Sequence, residues 1–275
     1  MNNLNLIGNS KRISRFDPEL ARKLTEEYEK EQRKKKLEDK LGKGKTAGPP
    51  IANPQDIPLE DLQDFWRISN VPYRNGLYRV DLAKELLDNG TSHTQDEWAE
   101  YSIQAQHQDK FHVADFPLYH ALFTALKSKN DTTSEEARDF IKQQMKAHYL
   151  MTLTRVRYNP KPQKDAVMHD YKQQDQYTRE LDSFMGPDGF ITGNIENILS
   201  PLQSLLDTKQ SVEEINSVYQ WLTGVNAYIW RVNNEVPSQD ERVARFGAVS
   251  DRASLFCYGG PSGSDHALGV RRAKK

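Results

Sequence analysis

The stretch whose reading decides the fold is Glu241-Arg-Val-Ala-Arg-Phe-Gly-Ala-Val-Ser-Asp-Arg-Ala-Ser-Leu-Phe-Cys-Tyr-Gly-Gly-Pro-Ser-Gly-Ser-Asp-His-Ala-Leu-Gly-Val-Arg271. Lys, Glu, Gln, Met and Trp make up 65 of the 275 residues, so the 25 positions from Phe246 to Val270 would hold about six of them at average usage. They hold none. Asn is missing after Asn234, while Ser, Gly, Asp, Tyr, Phe, Cys and His crowd between Ser254 and His266. Val243 and Phe246 precede the crowded part, Leu255 lies within it, and Leu268 and Val270 follow it, at spacings that suit short strands. Apolar anchors thus enclose a filling of restricted composition.

The motifs Arg-Val-x-Arg-Phe (residues 242–246), Ser-Asp-Arg-Ala-x-Leu-x-Cys (250–257) and Gly-Val-Arg (269–271) resemble the C-terminus of C-type lectin-fold proteins, a group that includes formylglycine-generating-enzyme-like domains. Within that group the stretch is most similar to the variable proteins of diversity-generating retroelements, in particular the archaeal and archaeal-virus branch. In such systems template adenines are miscopied, so an AAC codon can become Ser, Asp, Gly, Tyr, Cys, Phe or His, but not Lys, Glu, Gln, Met or Trp. That is the filter observed here, although a compact strand-and-turn region would also be poor in Lys and Glu. The clear resemblance covers about residues 219 to 273, and a weaker one extends back to about residue 90.

Successive strand residues point to opposite faces, so a fixed inner set can hold the fold while an outer set varies. By parity and the codon filter, Phe246, Ala248, Leu255, Cys257, Leu268 and Val270 face the core. Gly247, Val249, Ser254, Phe256, Tyr258, Gly259, Gly260, Gly263, Asp265 and His266 face outward and meet a ligand. Their composition is close to that of antibody loops, where rigid aromatics supply contact area and small polar residues supply adaptable hydrogen bonds.

Upstream, Asp17-Pro18-Glu19 opens a charged helix with a narrow stripe of Phe16, Leu20, Leu24 and Tyr28. Residues 1–50 carry 13 Lys or Arg against 8 Asp or Glu, and the remainder 25 against 31, so a net charge of -1 conceals a basic start. This segment reads as a basic or assembly helix or as a solvated helix fraying into a tail; its interleaved acids cancel most of the field, and nucleic acid is not the expected partner. Residues 42–58 read as a linker, which divides the chain into an extension over 1–55 and a domain over 56–275, with the variable region at about 242–273. Gly42-Lys-Gly-Lys-Thr46 is not a phosphate loop, since the first glycine at the required spacing and a preceding strand are both missing.

Within the domain, helices are expected at Leu59–Ile68, Leu82–Leu87, from Pro117 and at Ile195–Leu206. Three capping boxes, Thr94 with Glu97, Thr133 with Glu136 and Ser211 with Glu214, announce further helices, and Gly224 ends the last of them. Strands are expected at Gly76–Val80, Leu150–Tyr158, Ala166–Tyr171 and Ala227–Val232. Helices followed by a mostly antiparallel sheet give α+β class. That order is compatible with a C-type lectin-like fold of the formylglycine-generating-enzyme type, with a helical N-terminal extension and insertion.

Catalysis is not expected. The formylglycine-generating-enzyme resemblance implies an oxidase that depends on two cysteines, and this chain has one, Cys257. His266 and Arg252 stand near it in sequence, yet a lone Cys more often packs as a small hydrophobe. The seven histidines show no pair at the four-residue helical spacing of a zinc site. A calcium lectin would call for a Glu-Pro-Asn-like loop and a Trp-Asn-Asp-like strand, where this chain has Glu235-Val-Pro-Ser238 and Trp230-Arg-Val-Asn233. Asp165, His169 and Asp188 read as surface residues near turns, and no cofactor or metal is expected. No apolar run approaches a membrane span, and the first residues lack signal-peptide features, so a cytoplasmic or virion-associated chain is the expectation, with the compartment itself left open. The expectation is a non-enzymatic protein whose hypervariable face binds a macromolecule, most simply a protein, with oligomerisation open. The alternatives are a structural or assembly protein such as a virion component and, third, a formylglycine-generating-enzyme-like enzyme.

Overall fold

The computed structural model describes residues 59–182, 184–192, 198–232 and 235–274, all within the unit Ala52–Lys275. The expected charged helix and the linker up to Pro58 lie outside the described residues. Strands β1 (Leu59–Asp61), β2 (Phe65–Tyr73) and β3 (Gly76–Leu86) come first. They replace both helices expected between Leu59 and Leu87. Trp66, Ile68, Val71 and Tyr73 are buried along β2, and Val80 and Leu82 along β3. A run of aromatic and β-branched residues beside two partner strands favours the pleated form, where these side chains pack on their neighbours.

A 3-10 turn over Leu87–Gly90 leads to α1 (Gln95–His107), α2 (Phe116–Lys129) and α3 (Thr132–Ala147). Then follow β4 (Leu150–Tyr158), β5 (Ala166–His169), β6 (Tyr177–Glu180), β7 (Gly189–Phe190), α4 (Leu199–Leu206) and α5 (Val212–Thr223). Strands β8 (Ala227–Trp230), β9 (Asp240–Ala248), β10 (Ala253–Gly259) and β11 (Leu268–Lys274) complete the described chain. The helix expected from Ile195 is described from Leu199 onward; residues 193–197 lie outside the described set.

Local chemistry accounts for the helix ends. Thr94 with Glu97 and Ser211 with Glu214 form reciprocal capping boxes, and Gly224 closes α5 at φ 87°. The third box is two residues earlier than expected: Asp131 caps α3 and exchanges hydrogen bonds with Ser134, not Thr133 with Glu136. Aspartate with a following hydroxyl satisfies two N-terminal amides and fixes the start there. Asp115 caps α2, with Pro117 in the first turn where its missing N–H is harmless.

The strands form two sheets, one of four in the order β1-β2-β3-β11 and one of seven in the order β6-β5-β4-β9-β10-β8-β7. All pairings are antiparallel except β8 with β10. The class is therefore α+β, with strands opening the domain and helices inserted between the two sheets. α2 packs on β2 and on the inner face of the large sheet. Phe246 stands at that junction: its ring stacks on Phe116 at 4.0 Å and takes edge contacts from Tyr119 at 5.7 Å and Phe123 at 5.5 Å. The Tyr119 hydroxyl donates to the Leu268 carbonyl at 2.7 Å, which ties α2 to β11.

Candidate binding surface

The inner face of the large sheet carries the apolar anchors. Phe246, Ala248, Leu255 and Cys257, with Leu268 and Val270 of β11, are all buried in one core cluster. Arg271, the next residue, donates to Asp81 at 2.8 Å, and Arg67 reaches the same carboxylate from the other side at 2.8 Å. Burial pushes the Asp81 carboxyl up, but hydrogen bonds from the two guanidinium groups outweigh it and hold the group below the usual carboxylate range. β3 and β11 are thereby clasped side by side.

The outer face is covered over half its width. α1 lies on β4, and Trp98 packs with Met151, Leu153, Val243 and Ala267 in a second cluster. The Trp98 indole donates to the Asp265 carbonyl at 2.8 Å, and the Met151 amide donates to the His266 carbonyl at 2.7 Å. The backbone of residues 265–267 is thus pinned to the covered half. Beyond it, on the outer side of β10, β8 and β7, the sheet carries partly exposed rings.

That half carries six aromatic rings in continuous contact. Tyr149 meets Phe256 edge-on at 4.5 Å, Phe256 stacks on Trp230 at 5.7 Å, Trp230 touches Tyr228 at 4.5 Å, and Tyr228 meets Phe190 at 5.0 Å. Tyr258 lies beside Phe256 at 5.3 Å and Trp230 at 6.3 Å. The Arg252 guanidinium sits over Tyr228 at 4.9 Å, with Phe190 and Trp230 within 5.6 Å. Tyr149, Tyr258 and Phe190 are 42%, 40% and 38% exposed, an unusual concentration of large rings on one sheet face.

The ten outward candidates divide on this surface. Val249 and Tyr258 are exposed, and Phe256, Gly260, Gly263 and His266 are half-buried. Gly247, Ser254, Gly259 and Asp265 are buried, contrary to their expected access to a ligand. Each has a local cover. The Tyr149 ring lies over Gly247 and the Arg245 guanidinium over Gly259. The Trp230 indole hydrogen-bonds Ser254 Oγ at 3.3 Å, and the Asp265 carboxylate is paired with Arg245. Parity fits Gly247 and Ser254; Gly259 comes beside Arg245 through the register shift after Phe256, Asp265 lies outside the strands, and none of these signals shows what lies on top.

Several members of the surface were not among the candidates. Trp230 and Tyr228 alternate with the buried Ala227 and Ile229, so strand parity in β8 was a sufficient signal, and Trp230 is not part of the inner frame. Phe190, Tyr149 and Arg252 carry no such signal, because their places depend on long-range pairing. His148 and His266 also come together, their rings stacked at 3.8 Å, although 118 positions separate them.

The other polar candidates are structural. Asp165 is buried and accepts from the backbone amides of Asn159 and Met185, both at 2.9 Å, so it is not a surface residue. His169 is buried as well: it bonds the Thr154 hydroxyl at 3.1 Å and the Ser204 carbonyl at 3.0 Å. Asp188 accepts from the Arg231 amide. Cys257 lies on the core side, and burial pushes its thiol up to about 12. Among the described residues no group of three or more His, Cys, Asp or Glu could hold a metal ion, and no helix is long and apolar enough to cross a membrane.

A cleft of about 750 Å³ lies elsewhere, between the β2–β3 turn, α2, β6 and the α4–α5 loop. Its most prominent charges are already paired, Arg74 with Asp170 at 2.7 Å and Arg179 with Asp207 at 2.8 Å. Size alone does not make it the site; the large exposed rings are concentrated on the aromatic face. Comparison with known proteins returns no match: no family model fits the chain, and no curated protein or solved structure matches it.

Proposed function

We propose that this chain is a ligand-binding protein, a C-type lectin-like scaffold whose C-terminal stretch presents a hypervariable surface diversified by a retroelement, and that its ligand is another protein. The observation that carries the binding part is the partly exposed half of the large sheet, where six rings and Arg252 form one continuous patch. Aromatic side chains bring large contact area at low conformational cost, and Trp, Tyr and Arg dominate the energetics of protein interfaces. The diversification part rests on the resemblance and on the five missing residue types. It is supported by the division of labour within the motif, in which Phe246, Leu255, Cys257 and Val270 pack inward while Phe256 and Tyr258 do not.

Two experiments test the two parts. Neighbouring DNA should contain a reverse-transcriptase gene and a near-copy of the last codons that differs at adenines; its absence would leave the composition to ordinary strand-and-turn chemistry. A random displayed-peptide library panned on the full chain, with counter-selection on the Phe256→Ser/Tyr258→Ser chain, should yield peptides that need this face. Failure to recover any face-dependent binder would refute the binding role.

A further inference from the structure

We infer that Tyr149 and Arg245, two side chains outside the outward set, are specificity-determining members of the binding surface, seated on Gly247 and Gly259 so that a side chain at either glycine re-aims them. The inference deepens the reading of this face as a binding surface and rests on it. A Cβ built at Gly247 would lie 2.6 Å from Cδ1 and 2.7 Å from Cε1 of Tyr149, inside any tolerable contact. A Cβ at Gly259 would overlap the Nη2, Nε and Cζ atoms of Arg245. Neither glycine is among those with positive φ, which are Gly90, Gly186 and Gly224. The backbone at 247 and 259 therefore accepts an L side chain, and only the seated group forbids it.

Strand register places both seats on the β9–β10 pair, Gly247 opposite Ser254 and Gly259 opposite Val243. Arg245 pairs with Phe256 across the same strands. Tyr149 meets the same Phe256 edge-on, so its ring and the Arg245 backbone both adjoin the central aromatic of the patch. Tyr149 belongs to the α3–β4 junction, far from the C-terminal stretch in sequence, and Arg245 belongs to the Arg-Val-x-Arg-Phe motif. A residue introduced at 247 or 259 would thus act twice, by adding its own side chain and by lifting a neighbour off the sheet. Lifting Arg245 would also break its pair with Asp265. Gly260 differs: a Cβ there meets nothing within 4 Å, so variation at 260 adds a group and moves none.

A mutant cycle in the full chain tests this. Gly247→Ala should lower the melting temperature by about 5 °C or more, and Gly247→Ala/Tyr149→Ala should recover most of the loss, because the second change removes the ring the methyl meets. Gly260→Ala should stay within about 1 °C of the parent. Nitration of Tyr149 by tetranitromethane, mapped by mass spectrometry, should change at least about threefold in Gly247→Ala, which remains readable if the melt is broad. A peptide selected on the Phe256/Tyr258 face should bind Tyr149→Ala about tenfold more weakly. Additive melts, or unaltered nitration, would overturn the seat. Undiminished peptide affinity in Tyr149→Ala would overturn the specificity role and leave the binding reading standing, since the peptide was chosen for dependence on Phe256 and Tyr258. If no such peptide exists, the binding reading fails and this role fails with it, whatever the melts show.

Discussion

Trp230 and Phe256 stand opposite each other on the two parallel strands β8 and β10, with ring planes 13° apart and centroids 5.7 Å apart. Their contact lies on the outer face, away from the core cluster. Trp230→Ala should therefore cost less than about 2 kcal/mol, well below the ~3–5 kcal/mol of a fully buried Trp. The loss should fall on binding of face-dependent peptides instead. Urea unfolding beside a binding titration checks both, and a large stability loss would assign Trp230 to the frame.

Phe246 and Leu268 should behave in the opposite way. Phe246→Ala removes the ring shared by Phe116, Tyr119 and Phe123, and Leu268→Ala empties the site beneath the Tyr119 hydrogen bond. Each should cost about 2–5 kcal/mol by leaving a cavity. Replacement of Phe256 and Tyr258 by Ser should stay within about 1 kcal/mol in total. A frame that tolerates these cavities, or a surface set that unfolds the protein, would contradict the assignment of faces.

Cys257 should react with a thiol reagent at neutral pH only as fast as the protein opens. Its side chain is buried and its thiol is pushed up to about 12 by burial, so both access and thiolate are lacking. Labelling followed with Ellman's reagent in native buffer and in urea gives the comparison. Rapid native labelling would place the thiol outside the core.

Buried histidines should make the fold acid-sensitive. Burial holds His112, His120 and His169 at about 4, below the ordinary value near 6.5. Between those values the unfolded chain binds protons that the folded chain does not, so stability is lost as pH falls from about 6.5 toward 4. Asp170 works in the reverse sense, since burial and then the Asp115 charge raise it to about 6. His120→Phe isolates one histidine while keeping a ring against Tyr219. Its deficit relative to the parent should shrink by about 1.4 kcal/mol for each pH unit of acidification between 6.5 and 5. A constant difference across that range would show that His120 is not held neutral.

What could be read in advance depended on how local the signal was. Thr94 with Glu97, Ser211 with Glu214, Gly224 and the inner anchors Phe246, Leu255 and Val270 announce themselves through near neighbours, and each is where it was expected. Leu59–Ile68 misled because its apolar spacing fits a helical period, while the deciding fact is pairing with β1 and β3. The aromatic patch was half legible. Phe256 and Tyr258 follow from parity in β10, but Tyr149 and Phe190 join them only through the register of other strands. Asp165 and His169 show the same limit from another side, since residues near turns read as exposed until the chain segments that bury them are in place.

The clasp between β3 and β11 makes completion of the small sheet wait for the far side of the crowded stretch. β9 and β10 can join the large sheet on their own, but β3 keeps a bare edge, and Asp81 lacks Arg271, until residues 268–274 have been synthesised. A frameshift or premature stop anywhere between Val249 and Ala267 would leave that edge open and its hydrogen-bonding groups without partners. Such a chain would be exposed to proteolysis and self-association, whereas an in-frame exchange at Phe256 or Tyr258 would close normally. Closure of one sheet thus depends on the chain between Val249 and Ala267 having been read through to its end and in frame, and is indifferent to which side chains stand at positions 256 and 258.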